Sequence, residues 1–151
     1  VDFGNGTVQL PDVNRSRPVN EKVHDEARAA TAGRPDRQES HWRVRLADRP
    51  QTRGTATSLR SAVHQDSDGR ATGYALYRHR SVPDAHGGDS TGVMQVLELA
   101  ALSLQSYAAL WHFLAGIDLA AWIEYEGAAD EPLPHLLAEP RTVHSTLTDR
   151  L

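Results

Sequence analysis

Eight histidines are the first side chains in this sequence that could do chemistry, at positions 24, 41, 64, 79, 86, 112, 135 and 144. A helical zinc site needs two of them three or four residues apart, so that both imidazoles leave one face. No pair has that spacing. Asp66-Ser67-Asp68-Gly69 opens like a calcium loop. It lacks the third acidic position and the closing glutamate, which leaves a hairpin turn. The chain has no cysteine, which excludes thiolate metal sites, disulfides and a cysteine nucleophile. There is no Gly-x-Ser-x-Gly elbow, no phosphate loop and no dinucleotide fingerprint, and Gly87-Gly88 stands alone. The residues themselves therefore assign no catalytic, cofactor-binding or metal position.

A few side chains sit in awkward places. Glu98 lies among Val96, Leu97 and Leu99. A carboxylate in a buried strand must be paired or must line a cavity. Asp130 and Glu131 precede Pro132. They either cap a short helix or offer carboxylates to a cationic ligand. Trp42 is either a core anchor or a pocket wall, whereas Trp111 falls on the apolar face of a helix and reads as core. Trp42, Glu98, Asp130 and Glu131 are thus the candidate ligand-facing residues.

The elements that must position them follow from periodicity. Residues 1–18 read as a loose leading segment, with a short strand at Thr7–Leu10 and an irregular stretch bounded by Pro11 and Pro18. From Val19 the pattern is helical, with Val23, Ala27 and Ala30 on the same face, and Gly33 and Pro35 end it. Asp36 with Glu39 resembles a capping box for a second helix carrying Trp42 and Leu46. Residues 55–65 and 73–78 form a hairpin around the Asp66–Gly69 turn, and 91–100 is a third strand with a nearly continuous apolar run. A helix follows, with Leu104, Ala108, Trp111, Leu114 and Ile117 on its face. Trp122–Tyr125 is a fourth strand, parallel to the third through a right-handed crossover. His135–Leu137 is a short helix ended by Pro140. The fold class is α+β with a mixed sheet: two helices, a three-strand antiparallel meander and a β-α-β crossover.

Length and charge bound the partners. The 151 residues predict one domain. The net charge of −4 hides an asymmetry. Residues 1–80 carry 14 basic and 10 acidic side chains, a balance of +4, while residues 81–151 carry 2 and 10, a balance of −8. Fifteen of the sixteen basic residues are arginine and scattered, without the aromatic interleaving of single-strand binders, so nucleic acid is excluded as a partner. The acidic half favours a cationic partner by long-range attraction. No apolar run approaches the ~20 residues of a membrane span, and the first residues lack the pattern of a signal peptide. A cytoplasmic protein without membrane contact is expected. The missing initiator methionine points to an excised or processed chain.

The element order is that of the GNAT acetyltransferase fold, an analogy at the level of fold. In acetyl-CoA-binding members the turn between the third meander strand and the next helix is glycine-rich, so that backbone N–H groups reach the pyrophosphate. Here that junction reads Ala100-Ala101-Leu102-Ser103-Leu104-Gln105-Ser106, without glycine or arginine. This copy is not expected to bind CoA.

Longer blocks carry a closer resemblance. Gly73-Tyr74-Ala75-Leu76-Tyr77-Arg78, Glu98-Leu99, Ala109-Leu110-Trp111-His112-Phe113-Leu114 with Asp118-Leu119, Pro132-Leu133-Pro134-His135-Leu136-Leu137 and Pro140-Arg141 occur in that order. Together with Val19–Trp42 they resemble the central region of the Enhanced intracellular survival (Eis) family of bacterial N-acetyltransferases. The resemblance spans residues 19–150 and makes 19–151 a central GNAT-like domain. It implies a larger enzyme with an N-terminal GNAT domain that binds acetyl-CoA and a C-terminal domain like a sterol carrier protein. Such an enzyme passes acetyl groups to amines, aminoglycosides among them, and assembles as a hexamer. The family's catalytic tyrosine and terminal carboxylate lie in the outer domains and have no counterpart here. Trp42 matches a family tryptophan near the substrate pocket, and the acidic pair 130–131 matches a family position rich in acids, so the resemblance makes both candidate pocket residues. The sequence stops at Leu151, before a Trp-Val-Arg-Leu strand usual in the family, so C-terminal strands are expected to be truncated. The alternative is a stand-alone, non-catalytic GNAT-like binding or scaffold module.

Overall fold

The computed structural model describes residues 6–33, 35–83, 85–89, 91–118, 120–128 and 130–146. Five strands form one sheet: β1 (Thr7–Gln9), β2 (Arg60–Gln65), β3 (Ala71–Val82), β4 (Thr91–Ala101) and β5 (Trp122–Tyr125), side by side in that order. The first four pair antiparallel, and β5 runs parallel to β4. Helices α1 (Val13–Ala29) and α2 (Glu39–Leu46) come between β1 and β2. Helix α3 (Leu104–Ala115) makes the β4–β5 crossover, and α4 (Leu133–Leu136) follows β5. The α+β class, the meander and the parallel crossover are all as the element order predicts.

Two apolar cores lie on opposite faces of the sheet. Strand residues alternate between them, as the period-two geometry of a strand requires. Tyr74, Leu76 and Val63 pack with Val23 of α1 and Trp42 of α2. Ala75, Tyr77, Ala62, Met94 and Val96 pack with Tyr107, Leu110, Trp111 and Leu114 of α3. The continuous apolar run of β4 reflects cover on both sides.

Several elements depart from the sequence pattern: β3 runs beyond 73–78 on both sides, α4 starts two residues before His135, and four further differences have a visible cause. Helix α1 begins at Val13 rather than Val19, so residues 7–18 supply β1 and the first turns of a helix. The Asp12 carboxylate caps it, accepting from the N–H groups of Asn14 (2.9 Å) and Arg15 (3.3 Å). The buried face of α1 is Ser16, Asn20 and Val23, while Val19 is 37% exposed. Polar contacts fix that phase: the Asn20 amide donates to Ser16 Oγ and, across to β2, to Ser61 Oγ. Helix α2 starts after Gln38 without a side-chain cap, because Glu39 bonds Arg17 of α1 instead of completing a box with Asp36.

The other two differences lie further on. Residues 50–52 form a 3₁₀ turn, and the strand starts only at Arg60. There the Asp48 carboxylate accepts from the Leu59 N–H at 2.8 Å and holds Arg53 by two contacts. On α3, Leu104 is 57% exposed and Ser106 is buried in its place. Ser103 is the N-cap, Leu104 is the first helical residue, and the buried face of α3 begins at Ser106 and Tyr107.

Candidate functional site

Glu98 reaches its partners through a bulge. Leu76 pairs with Glu98, but the next residue, Tyr77, pairs with Val96, so Leu97 is an extra residue in β4. One inserted residue switches the side-chain alternation beyond it. Val96 faces α3, and Leu97 and Glu98 both face α1 and α2. In a regular strand Glu98 would point into the α3 core.

On the α1 side the Glu98 carboxylate is heavily bonded. Arg37 Nη1 donates to both oxygens, at 2.8 and 3.0 Å, and Arg45 Nε lies 3.3 Å away. The Tyr74 hydroxyl donates to Oε1. The Arg37 guanidinium also lies over the Trp42 ring, 4.5 Å from its centroid, and His24 meets that ring edge-on. Burial raises the Glu98 pKa, but the hydrogen bonds from Arg37 and Tyr74 and the charges of Arg37 and Arg45 outweigh it, so the net direction is down. Burial and then Glu98 push the Tyr74 phenol up. The His24 imidazole is held down by burial and by Arg37. With only 11% of its side chain exposed, Glu98 is a paired internal acid.

The acidic pair lies across the sheet. Glu131 accepts from the Tyr107 hydroxyl on α3. Tyr107, Trp111 and Tyr125 follow one another edge-to-face, with centroids 6.3 and 5.2 Å apart. Gly127 makes this possible, since a Cβ there would come within 2.8 Å of Tyr125 Cε1 and 2.9 Å of Glu131 Oε2. Neither acid caps α4, whose N-cap position is Pro132 and carries no side-chain bond. Asp130 is exposed. Burial first, then the bond to Glu131, raises the Tyr107 phenol.

The structure thus brings Trp42 and Glu98 together and puts Glu131 on the opposite face. Trp42 and Glu98 belong to the core on the α1 side of the sheet, and Glu131 bonds Tyr107 of the core on the α3 side. The sequence reading missed Arg37, Arg45, Tyr74 and Tyr107. The usable signal was chemical: a carboxylate inside an apolar strand requires a cation, and arginines flank Trp42 on either side. Among the described residues no three metal-ligating side chains come together.

The β4–α3 junction is closed by its own side chains. Ser103 Oγ accepts from the Ser106 N–H at 3.1 Å, and Ser106 Oγ accepts from the Ser103 N–H at 3.2 Å. This capping box satisfies donors that a phosphate would otherwise use. A groove of ≈ 520 Å³ beside it is lined by Ser103 and Gln105, with Glu26, Asp66 and Arg70 opposite.

Comparison with known proteins agrees with this architecture. A family model described as an acetyltransferase (GNAT) domain matches residues 33–151. An uncharacterized N-acetyltransferase of Streptomyces avermitilis is 29% identical over 148 residues, covering 93% of this chain and 34% of that protein. N-acetyltransferase Eis of Mycobacterium tuberculosis is 28% identical over 146 residues, covering 95% of this chain and 33% of that protein. The crystal structure of Eis1 from Mycobacterium abscessus superposes with a TM-score of 0.63 at 27% identity, over 89% of this chain and 32% of that one. The chain spans about a third of the length of the curated relatives it matches. Strand order, crossover and family match lead to one conclusion: the chain belongs to the acetyltransferase (GNAT) domain family and within it is similar to the Eis N-acetyltransferases.

Proposed function

We propose that this chain is the central GNAT-like domain of an N-acetyltransferase that moves acetyl from acetyl-CoA to an amine, and that it supplies substrate-pocket wall and oligomer contacts rather than the CoA site. The closed β4–α3 junction carries this reading. A pyrophosphate needs free N–H groups at a helix start and close backbone approach. Here Ser103 and Ser106 consume donors, no glycine opens the turn, and Glu26 and Asp66 border the neighbouring groove. The match to about a third of each relative is consistent with a single domain of a larger enzyme.

The acceptor is a polycationic amine of the aminoglycoside kind, in keeping with the −8 balance of residues 81–151. Trp42 and Glu98 belong to this wall as its internal frame, with the Glu98 charge already neutralised by Arg37 and Arg45. Asp130 is exposed and makes no ion pair among the described residues, so it can meet a cation. The enzyme is bacterial, cytoplasmic and hexameric in this reading. Among the described residues no helix is long and apolar enough to cross a membrane.

Calorimetric titration of this chain with acetyl-CoA tests the proposal. No heat of binding and no acetyl transfer to neomycin are expected. Stoichiometric acetyl-CoA binding, or turnover by this chain, overturns it.

A further inference from the structure

A second groove, of ≈ 410 Å³, lies on the α1 side, between the first half of α1, the strands β1 and β2, and the β2–β3 turn. Its volume is in the range of small-molecule sites. Its apolar wall is Pro11, Val19, Val23, Val63 and Ala71. Val23 and Val63 are buried core residues, so this wall is fixed, and Val19 is the side chain that α1 leaves partly exposed. Neutral amides from Gln9 and Gln65 add hydrogen-bonding groups.

The charged lining is all of one sign. Arg15, Lys22 and Arg70 line the groove, and among its described lining residues none is a carboxylate. Arg70 is shared with Glu26, 2.5 Å away. The side chains of Arg15 and Lys22, two turns apart on α1, make no ion pair or hydrogen bond among the described residues. Nearby Asp12 is tied to the backbone N–H groups of Asn14 and Arg15. An apolar wall under two unpaired cations fits a ligand with an apolar body and one negative head. Arg70 borders both this groove and the one beside the β4–α3 junction, whereas none of Trp42, Glu98, Asp130, Ser103 and Ser106 lines this groove.

We propose that the groove between α1, β1 and the β2–β3 turn binds a small amphiphilic organic anion, a carboxylate on an aliphatic body, with Arg15 and Lys22 at the head and Val19, Val23 and Val63 along the tail. This site is independent of the proposal on acetyl transfer, and its failure leaves that proposal standing.

Octanoate is the probe, titrated into the isotope-labelled chain and followed by amide NMR. Octanoate is expected to shift the amides of Val19, Lys22, Val23, Gln65 and Ala71, with octylamine leaving them unmoved. Arg15→Glu with Lys22→Glu should weaken octanoate about tenfold, since each reversed exposed charge is worth a fraction of the 1.4 kcal/mol that a factor of ten represents. Both residues are exposed and their side chains are unpaired among the described residues, so the double variant keeps the melting transition of the parent, read by circular dichroism. Lys22→Gln alone should weaken octanoate by a smaller factor. Overturning results are octanoate shifts absent from the groove, octylamine binding as well as octanoate, undiminished binding by the double variant, or acetate alone reproducing the shifts.

Discussion

Glu98 shows how one side chain can be misjudged by its neighbours in sequence. Its setting among Val96, Leu97 and Leu99 says only that the carboxylate needs a partner. The partners come from Arg37, 61 positions away, from Arg45 and from Tyr74. Removing the acid leaves the largely buried Arg37 guanidinium without its carboxylate, while Arg45 is open to solvent. Glu98→Ala is therefore expected to cost about 3 kcal/mol, as loss of one partner of a buried pair typically does. Urea unfolding reads this as a lower midpoint at unchanged slope. Because the folded carboxyl titrates below its ordinary value of 4.5, its contribution is present above that value and is lost as pH falls through the folded pKa. In Glu98→Ala that acid-range loss should be smaller. Trp42 sits in the same frame, since the Arg37 guanidinium that bonds Glu98 also covers its ring.

At the scale of elements, the β4 bulge and the α3 cap decide what the sheet can hold. Leu97 is the extra residue, and without it the alternation from Val96 to Glu98 becomes regular with Glu98 still facing α1. Deletion of Leu97 is thus expected to give a folded protein that retains the Arg37–Glu98 pair. The cost is about 2 kcal/mol for the lost apolar side chain, measured by chemical unfolding. Full unfolding of the deletion variant would show that the bulge itself is required. At the other end of β4, Ser103→Ala removes one arm of the capping box and should lower stability by about 1 kcal/mol, read as a drop in Tm. It also frees the Ser106 N–H, yet the turn still lacks glycine, so acetyl-CoA binding is not expected to appear.

For the whole molecule, the sheet separates two sets of interactions. The Arg37–Glu98–Tyr74 cluster belongs to one core and Tyr107–Glu131 to the other. Side chains with no shared partners add in their effects. Glu98→Ala combined with Tyr107→Phe should therefore equal the sum of the single changes within about 0.5 kcal/mol, by a double-mutant cycle in urea. Acid response is also a property of the whole. His24, His64 and His79 all titrate below 6.5, with burial the first cause in each and Arg37 or Arg60 adding to it for His24 and His79. A depressed folded pKa means that the unfolded chain binds more protons as pH drops past 6.5, so stability falls in that direction. Tm is expected to hold steady above about pH 7 and to decline toward about pH 5, before the carboxylates contribute further loss. A Tm that rises on acidification would contradict the buried, neutral state of these histidines.

The sequence by itself determined the α+β class, the order of elements, the hairpin at Asp66–Gly69 and the glycine-free β4–α3 junction. These rest on local periodicity and turn chemistry, which are properties of neighbouring residues. It also determined that Glu98 needs a partner. Only the tertiary structure decided which face Glu98 and Glu131 occupy, because one bulged residue reverses the alternation of a strand and no local pattern marks it. The start of α1 was likewise a tertiary matter. Its buried face is set by Asn20, which bonds Ser16 on its own helix and Ser61, 41 positions away, and a polar contact of that kind leaves no apolar stripe to read.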